Sequence, residues 1–257
     1  MSNKNKSTSV VRYYYFRLAY RIILLLITTS ITIYCIFTNQ QFEISFNSKF
    51  NIFLICVWAI FMIEMLCALI PTGHESPGSQ KHFKCKYKKT GKTQIKIQDN
   101  HAVLLVGLLW LSINVVFGAL KLLGILSDGS MFLLFSIYSV CDCICVLFFC
   151  PFQTWFLKNE CCVQCRIYNW NYAMMFTPMF FVTGVYSWTL VAMALIILFK
   201  WEITVYKHPE RFSRETNEYL ECKHCSELLC KNKKQLKTFW DKLDKYKEEK
   251  IEQLKKH

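Results

Sequence analysis

The residues of this chain with the most distinctive chemistry are cysteines, and they fall into three groups. The chain holds fourteen cysteines, and ten of them lie in or beside three short stretches. These groups are Cys141, Cys143, Cys145 and Cys150; Cys161, Cys162 and Cys165; and Cys222, Cys225 and Cys230. The flanking segments are basic and expected to face the cytoplasm, where thiols stay reduced. The pattern therefore favours metal ligation over disulfides.

Two of the groups contain a pair of cysteines separated by two residues. Two-residue spacing lets both sulfurs of a pair reach one ion, and two such pairs complete a tetrahedral four-thiolate site. The sequence therefore predicts a metal site formed by Cys162, Cys165, Cys222 and Cys225, with zinc favoured. Two further thiols could replace a ligand, namely Cys161 and Cys230. An iron–sulfur cluster also takes four thiolates and is the alternative cofactor.

Polar residues inside the apolar segments are the second candidate site. Glu64, Asn114 and Asp142 each lie within a long apolar stretch, where an ionisable side chain is costly and is by default a functional hypothesis. The sharper interpretation is a proton or cation path through Glu64 and Asp142. The plainer interpretation is that Glu64 snorkels or is protonated, and that Asp142 turns inward to Asn114, Lys121 or Glu64.

The composition indicates that these residues are positioned by membrane helices. Hydrophobic residues make up 53% of the chain, and the mean hydropathy is +0.23. The apolar residues occur in blocks of roughly 20, the length needed to cross a hydrocarbon core of about 30 Å. Backbone amides in lipid must be satisfied within the segment, so the blocks are predicted to be helices.

The predicted architecture is an all-α polytopic membrane protein. It has four transmembrane helices, a fifth long apolar segment that is either re-entrant or spanning, a small β-hairpin insert and a C-terminal amphipathic helix. The predicted divisions are a disordered basic N-terminus (1–12), a first transmembrane hairpin (13–70), a basic insert (71–101), a second transmembrane hairpin (102–150), a Cys-rich loop (151–172), the fifth membrane segment (173–199) and a soluble tail (200–257).

The distribution of charge predicts the orientation of the first four helices. The net charge is +13, and basic residues dominate both the N-terminus and the insert 71–101. Because cytoplasmic loops carry an excess of Lys and Arg, both regions are expected to be cytoplasmic and to attract anionic headgroups. Arg17 and Arg21, beside Tyr13–Tyr15, are expected to anchor the first helix at this interface. Membrane attachment explains the basic charge, and binding to nucleic acid is not expected.

The insert contains a pattern typical of a β-hairpin. Residues 83–88 and 93–98 alternate between apolar and polar side chains, and Lys89–Lys92 between them contains Gly91, a turn signal. The predicted hairpin has one basic face. Since an isolated hairpin is only marginally stable, it is expected to pack on the membrane surface or the C-terminal region.

The fifth segment decides whether the tail can reach the Cys-rich loop. A single crossing would place the tail outside, away from Cys162 and Cys165. A helical hairpin bent near Gly184 would return the tail to the cytoplasm, and this alternative is favoured because it lets the two thiol groups meet. Long tails also translocate with little regard to charge, so a single crossing remains the second alternative.

The end of the tail is predicted to form an amphipathic helix. From about Asn232, apolar side chains recur at three- and four-residue spacing among lysines and glutamates. Such a stripe, over residues 232–257, is expected to dock on its own protein, on a second copy or on a partner protein. Binding to a membrane surface is the further option.

No catalytic motif accompanies these features. The chain contains no nucleophile elbow, phosphate loop, dinucleotide fingerprint or zinc-protease helix, so the sequence does not indicate an enzyme class. The favoured function is a structural or partner-binding role in the membrane, supported by a cytoplasmic four-cysteine metal site. The alternatives are an iron–sulfur or thiol-based redox protein and a transporter or channel using Glu64 and Asp142.

Overall fold

The computed structural model describes residues 9–40, 42, 44, 49–73, 75–159, 161–221 and 229. Five helices within these residues are long and apolar enough to cross a membrane. A shorter helix precedes the last of them. The six α-helices are α1 (Ser9–Phe37), α2 (Asn51–Leu69), α3 (Asn100–Leu122), α4 (Asp128–Leu147), α5 (Asn171–Phe176) and α6 (Val185–Lys207).

Aromatic side chains form the centre of the bundle. Phe61 on α2, Phe135 on α4 and Phe176 on α5 are at most 1% exposed, and their ring centroids lie 5.0 to 5.5 Å apart. In contrast, large apolar side chains on α3, such as Leu104 and Val115, are about 60% exposed. Apolar helices that leave such surface uncovered have the character of multi-pass membrane helices, because lipid can cover them.

The fifth apolar segment folds back on itself. After α5 the chain continues through a 3₁₀ turn (Thr177–Phe181), bends at Gly184 and returns as α6. We call this unit the α5–α6 hairpin. The bend requires glycine, because a Cβ there would approach the Ile44 carbonyl oxygen to 2.7 Å. The Tyr186 hydroxyl donates to Asn51 Oδ1 at 2.7 Å, so the bend lies beside the start of α2.

The two ends of the α5–α6 hairpin lie on the same face of the bundle. Lys200 Nζ donates to the carbonyl of Leu69 at the end of α2, and Trp201 Nε1 donates to the carbonyl of Arg166, just before α5. The segment therefore has the form of the bent alternative, and α6 extends to Lys207 rather than ending near Phe199. The start of the tail and the Cys-rich loop share one face.

The β-hairpin predicted in the insert is wrong. The described part of the insert contains no strand; residues Lys84–Lys86 form a 3₁₀ turn, and only an isolated bridge joins Lys89 to Asn217. Its backbone pairs with the tail instead, since Thr90 N donates to Thr216 O and Glu218 N donates to Lys88 O. The alternation of apolar and polar residues predicted extended backbone in the insert. It did not predict that this backbone pairs with the tail, more than a hundred residues further along the chain. The predicted C-terminal helix lies outside the described residues.

Candidate functional site

Two arginines on α1 meet the acidic residues of α2 and α4 inside the bundle. Arg17 Nη2 lies 2.9 Å from Glu64, and Arg21 lies 2.9 Å from Glu64 and 2.7 Å from Asp142. We call these four residues the charge cluster. Arg21 is fully buried and Arg17 is 3% exposed, so both guanidinium groups are withdrawn from lipid and water. Two cations and two carboxylates leave the cluster electrically neutral.

Neighbouring polar groups add hydrogen bonds to the charge cluster. Arg17 Nη2 also donates to the Tyr172 hydroxyl at 3.0 Å, and Arg21 Nη1 donates to the Ser139 carbonyl at 2.9 Å. The Tyr20 hydroxyl donates to Glu64. A buried ion pair is stable only when such bonds offset the cost of desolvation. The cluster therefore ties α1, α2 and α4 together.

The charge cluster corrects one sequence prediction and qualifies another. Arg17 and Arg21 do not snorkel to the interface; they share one helix face at i and i+4, and that spacing was the available signal. Glu64 and Asp142 come together through Arg21. Asn114 lies elsewhere, donating to the Trp110 carbonyl at 2.9 Å, and Lys121 pairs with Asp128 at 2.6 Å.

The thiols of α4 do not converge. Cys143 is buried and its sulfur accepts from Arg21 Nη1 at 3.4 Å, whereas Cys141 is exposed. Successive residues of a helix point about 100° apart, so neighbouring thiols face different surroundings. Cys143 therefore belongs to the surroundings of the charge cluster.

The Cys-rich loop turns its predicted metal ligands in different directions. Cys162 Sγ donates to Gln153 Oε1 at 3.1 Å, while Cys165 packs among apolar residues that include Val106 and Ile167. Burial raises the pKa of the Cys165 thiol to about 12. In the part of the chain that the structure describes, no three candidate ligands gather as a metal site. Cys222, Cys225 and Cys230 lie outside the described residues.

One contact nevertheless brings the tail to this loop. Leu220 packs with Cys161 and Val163, and Gln164 Nε2 donates to the Leu220 carbonyl at 3.2 Å. Cys222 follows Leu220 by two residues, a reach of about 7 Å in extended chain.

Polar anchors join the insert, the Cys-rich loop and the tail into one layer at this face. We call residues 75–99, 161–170 and 208–221 the cap. Lys81, fully buried, donates from Nζ to the carbonyls of Cys165 at 2.8 Å and Val163 at 3.2 Å. Its ammonium also lies 5.1 Å from the centre of the Trp201 ring. Burial lowers the pKa of Lys81 to about 7.

A second anchor joins the loop to α6. Arg166 binds Glu202 through two hydrogen bonds of 2.7 and 2.5 Å, and Trp170 Nε1 donates to the same carboxylate at 2.6 Å. Paired bonds of this kind are stronger and more directional than a single contact. The cap is therefore held to the bundle by side chains within the described residues.

Acidification is expected to destabilise the cap through His82. Its ring packs 4.1 Å from that of Phe83 and 5.7 Å from that of Trp201, and burial, aided by Lys200, lowers its pKa from 6.5 to about 4. The unfolded chain binds a proton more readily, so the contribution of neutral His82 is complete above pH 6.5 and is lost as the pH falls towards 4. The loss is roughly 3 kcal/mol.

Unfolding measured in detergent between pH 7 and pH 4.5 checks this expectation. His82→Phe keeps an aromatic ring and should flatten the pH dependence, whereas His101→Phe, at an exposed side chain at the start of α3, should not flatten it. Equal slopes in the wild type and His82→Phe would contradict the assignment.

The five long apolar helices suggest a multi-pass membrane protein, and the described residues form a buried charge cluster and a cap. No protein-family model matches the chain, and neither the curated proteins nor the solved structures show a match.

Proposed function

We propose that this protein has a structural or partner-binding role in the membrane, with the cap as its binding surface. The observation that supports this proposal is the burial of Lys81, whose Nζ donates to carbonyls of the Cys-rich loop and lies over the Trp201 ring. Ordering of the cap before binding would reduce the entropy cost of recognising a partner. The 232–257 segment is a proposed second contact for a partner or for another copy of the chain.

The cap is proposed to face the cytoplasm together with the N-terminus. The basic residues of the insert support this orientation, and the α5–α6 hairpin places the start of the tail on the cap side. Labelling of intact cells with a membrane-impermeant thiol reagent tests it. Cys85, exposed in the insert, should react only after the cells are opened. Labelling of Cys85 in intact cells would reverse the orientation.

A four-cysteine metal site at the edge of the cap is part of the proposal, with zinc favoured. It would join Cys162 and Cys165 to Cys222 and Cys225, with Cys161 and Cys230 as replacement ligands. The contact of Leu220 with Cys161 supports the approach of the tail. Cys161 and Cys165 are similarly buried, at 6% and 7% exposed, and each is a candidate for the place beside Cys162.

Metal analysis of the purified full-length chain tests this site. We expect about one zinc per chain, lost in Cys222→Ser and Cys225→Ser and retained in Cys56→Ser, whose side chain is exposed on α2. Loss of zinc in Cys165→Ser would assign Cys165 to the site, and loss of zinc in Cys161→Ser would assign Cys161 to it. Visible absorption with acid-labile sulfide would support the iron–sulfur alternative, and absence of any metal would overturn both.

A transport function is the second candidate, supported by the charge cluster. Arg21 pairs with both Glu64 and Asp142. If one of these ion pairs opens, the Arg21 guanidinium can move relative to the carboxylate of the other. The cluster would then carry protons or cations when its pairs open. Asp142→Asn should abolish flux into liposomes while leaving metal content unchanged. Equal flux in Asp142→Asn and the wild type would contradict it.

A further inference from the structure

Two cavities follow one another along α3 and α6, and their linings differ in polarity. The first is a groove of about 560 Å³ between α3 and the α5–α6 hairpin. Its walls are almost entirely apolar, with Leu108 and Leu111 on α3 and Leu195 and Leu198 on α6. Because the groove lies within helices suited to a membrane, an apolar chain from the bilayer can enter it sideways.

The second cavity lies at the cap ends of the same two helices. It measures about 550 Å³ and is lined by polar groups from Gln98, Asp99, Arg166 and Glu202. Asn100 in this cavity lies one helical turn from Leu104 in the groove, and Glu202 lies one turn from Leu198. One turn is about 5.4 Å along a helix. The two cavities are thus neighbours, and the polar one lies at the cap ends of the apolar helices.

Trp170 joins the two cavities. Its ring lines the apolar groove, while its Nε1 donates to Glu202 in the polar cavity at 2.6 Å. Gly107 makes room for this ring, because a Cβ there would lie 3.2 Å from it. An amphipathic tryptophan at such a boundary is typical of a membrane interface.

The polar cavity offers groups for both signs of charge. The side-chain nitrogens Arg166 Nε and Gln98 Nε2 are buried donors without a hydrogen-bond partner, and Arg166 is 7% exposed. They lie beside the N-terminus of α3, which favours an anion such as a phosphate. Asp99 is an exposed carboxylate that caps α3 through Oδ1. Since Arg166 is already paired with Glu202, the excess charge of this cavity is negative and favours a cation.

We propose that these cavities form one binding site for a zwitterionic phospholipid with a primary ammonium headgroup. The acyl chain lies in the groove, the phosphate lies at the N-terminus of α3 beside Arg166 and Gln98, and the ammonium donates to Asp99. A phosphatidylcholine shares the phosphate but lacks N–H donors, and a phosphatidylglycerol lacks the cation. The inference rests on the membrane placement of the helices and is independent of the metal site.

Native mass spectrometry of the delipidated full-length chain in detergent tests this site. The probes are phosphatidylethanolamine, phosphatidylcholine and phosphatidylglycerol with identical acyl chains. We expect phosphatidylethanolamine to bind about threefold more tightly than phosphatidylcholine, the ratio typical of one solvent-exposed ion pair. Asp99→Asn keeps a helix-capping side chain and should remove this preference.

The acyl groove has its own matched pair of variants. Leu108→Trp adds bulk to the groove, whereas Leu105→Trp adds the same bulk at a neighbour that does not line it; both leucines are a little over 50% exposed. Only Leu108→Trp should weaken binding of all three lipids. Equal binding of the three lipids by the wild type, tighter binding of phosphatidylglycerol, or equal effects of the two tryptophans would overturn the proposal. Zinc content should not change, which separates this test from that of the metal site.

Discussion

Arg21→Met is expected to destabilise the folded protein by about 3–5 kcal/mol, the usual cost of removing one partner from a buried charge pair. Arg21 is fully buried and contacts both acids of the charge cluster, so its loss leaves Asp142 without its arginine partner and Glu64 with one arginine instead of two. Methionine fills a similar volume, so little of the effect comes from a cavity. Unfolding in detergent, monitored by circular dichroism, measures the change.

Two companion variants show whether charge is the cause. Asp142→Asn placed in the Arg21→Met background should recover part of the lost stability, because it removes an uncompensated carboxylate. Arg12→Met, on the same helix but exposed, should change stability by less than about 0.5 kcal/mol. A similar stability for Arg21→Met and Arg12→Met would show that the charge cluster does not hold the bundle together.

Trp201→Ala should cost about 3–5 kcal/mol and release the cap from the bundle. The Trp201 ring is fully buried, receives the Lys81 ammonium and lies 4.9 Å from the Phe212 ring, while its Nε1 donates to the Arg166 carbonyl. The substitution removes all these contacts and leaves a cavity where the insert, loop and tail meet. Unfolding measurements in detergent give the loss of stability.

Thiol labelling gives a second readout for Trp201→Ala. Cys165 is 7% exposed in the intact cap and should react faster with a thiol reagent when the cap loosens. Trp188→Ala provides the control, since that side chain is 50% exposed on the same helix and should leave both stability and labelling nearly unchanged. Equal labelling of Cys165 in the two variants would show that Trp201 does not hold the cap.

The local sequence pattern was sufficient to predict the long helices, because a membrane helix makes its backbone hydrogen bonds within its own segment and requires only a long apolar run. The positions of α1 to α4 differ from the predicted segments by a few residues, as expected for helix ends. The same local reasoning failed in the insert. The residues near Lys89 do not indicate which segment they pair with, because their partner, Asn217, lies far along the chain.

The site residues show the same division. Glu64 and Asp142 could be selected from the sequence because a carboxylate within an apolar run is costly. That both bind Arg21 depends on how α1 packs against α2 and α4, and the sequence alone suggested an interface role for that arginine. Lys81 was counted only as part of a basic loop, yet it is buried against Trp201.

The sequence by itself determined a multi-pass helical protein with a basic face, because hydrophobic length and charge distribution act within single segments. Only the tertiary structure decided which segments meet. The bend at Gly184 places the start of the tail beside the Cys-rich loop, and the packing of α1 on α4 neutralises Arg21 with Asp142. These outcomes depend on contacts between residues that are far apart in the sequence. The free energies of such contacts cannot be predicted from the pattern within one segment.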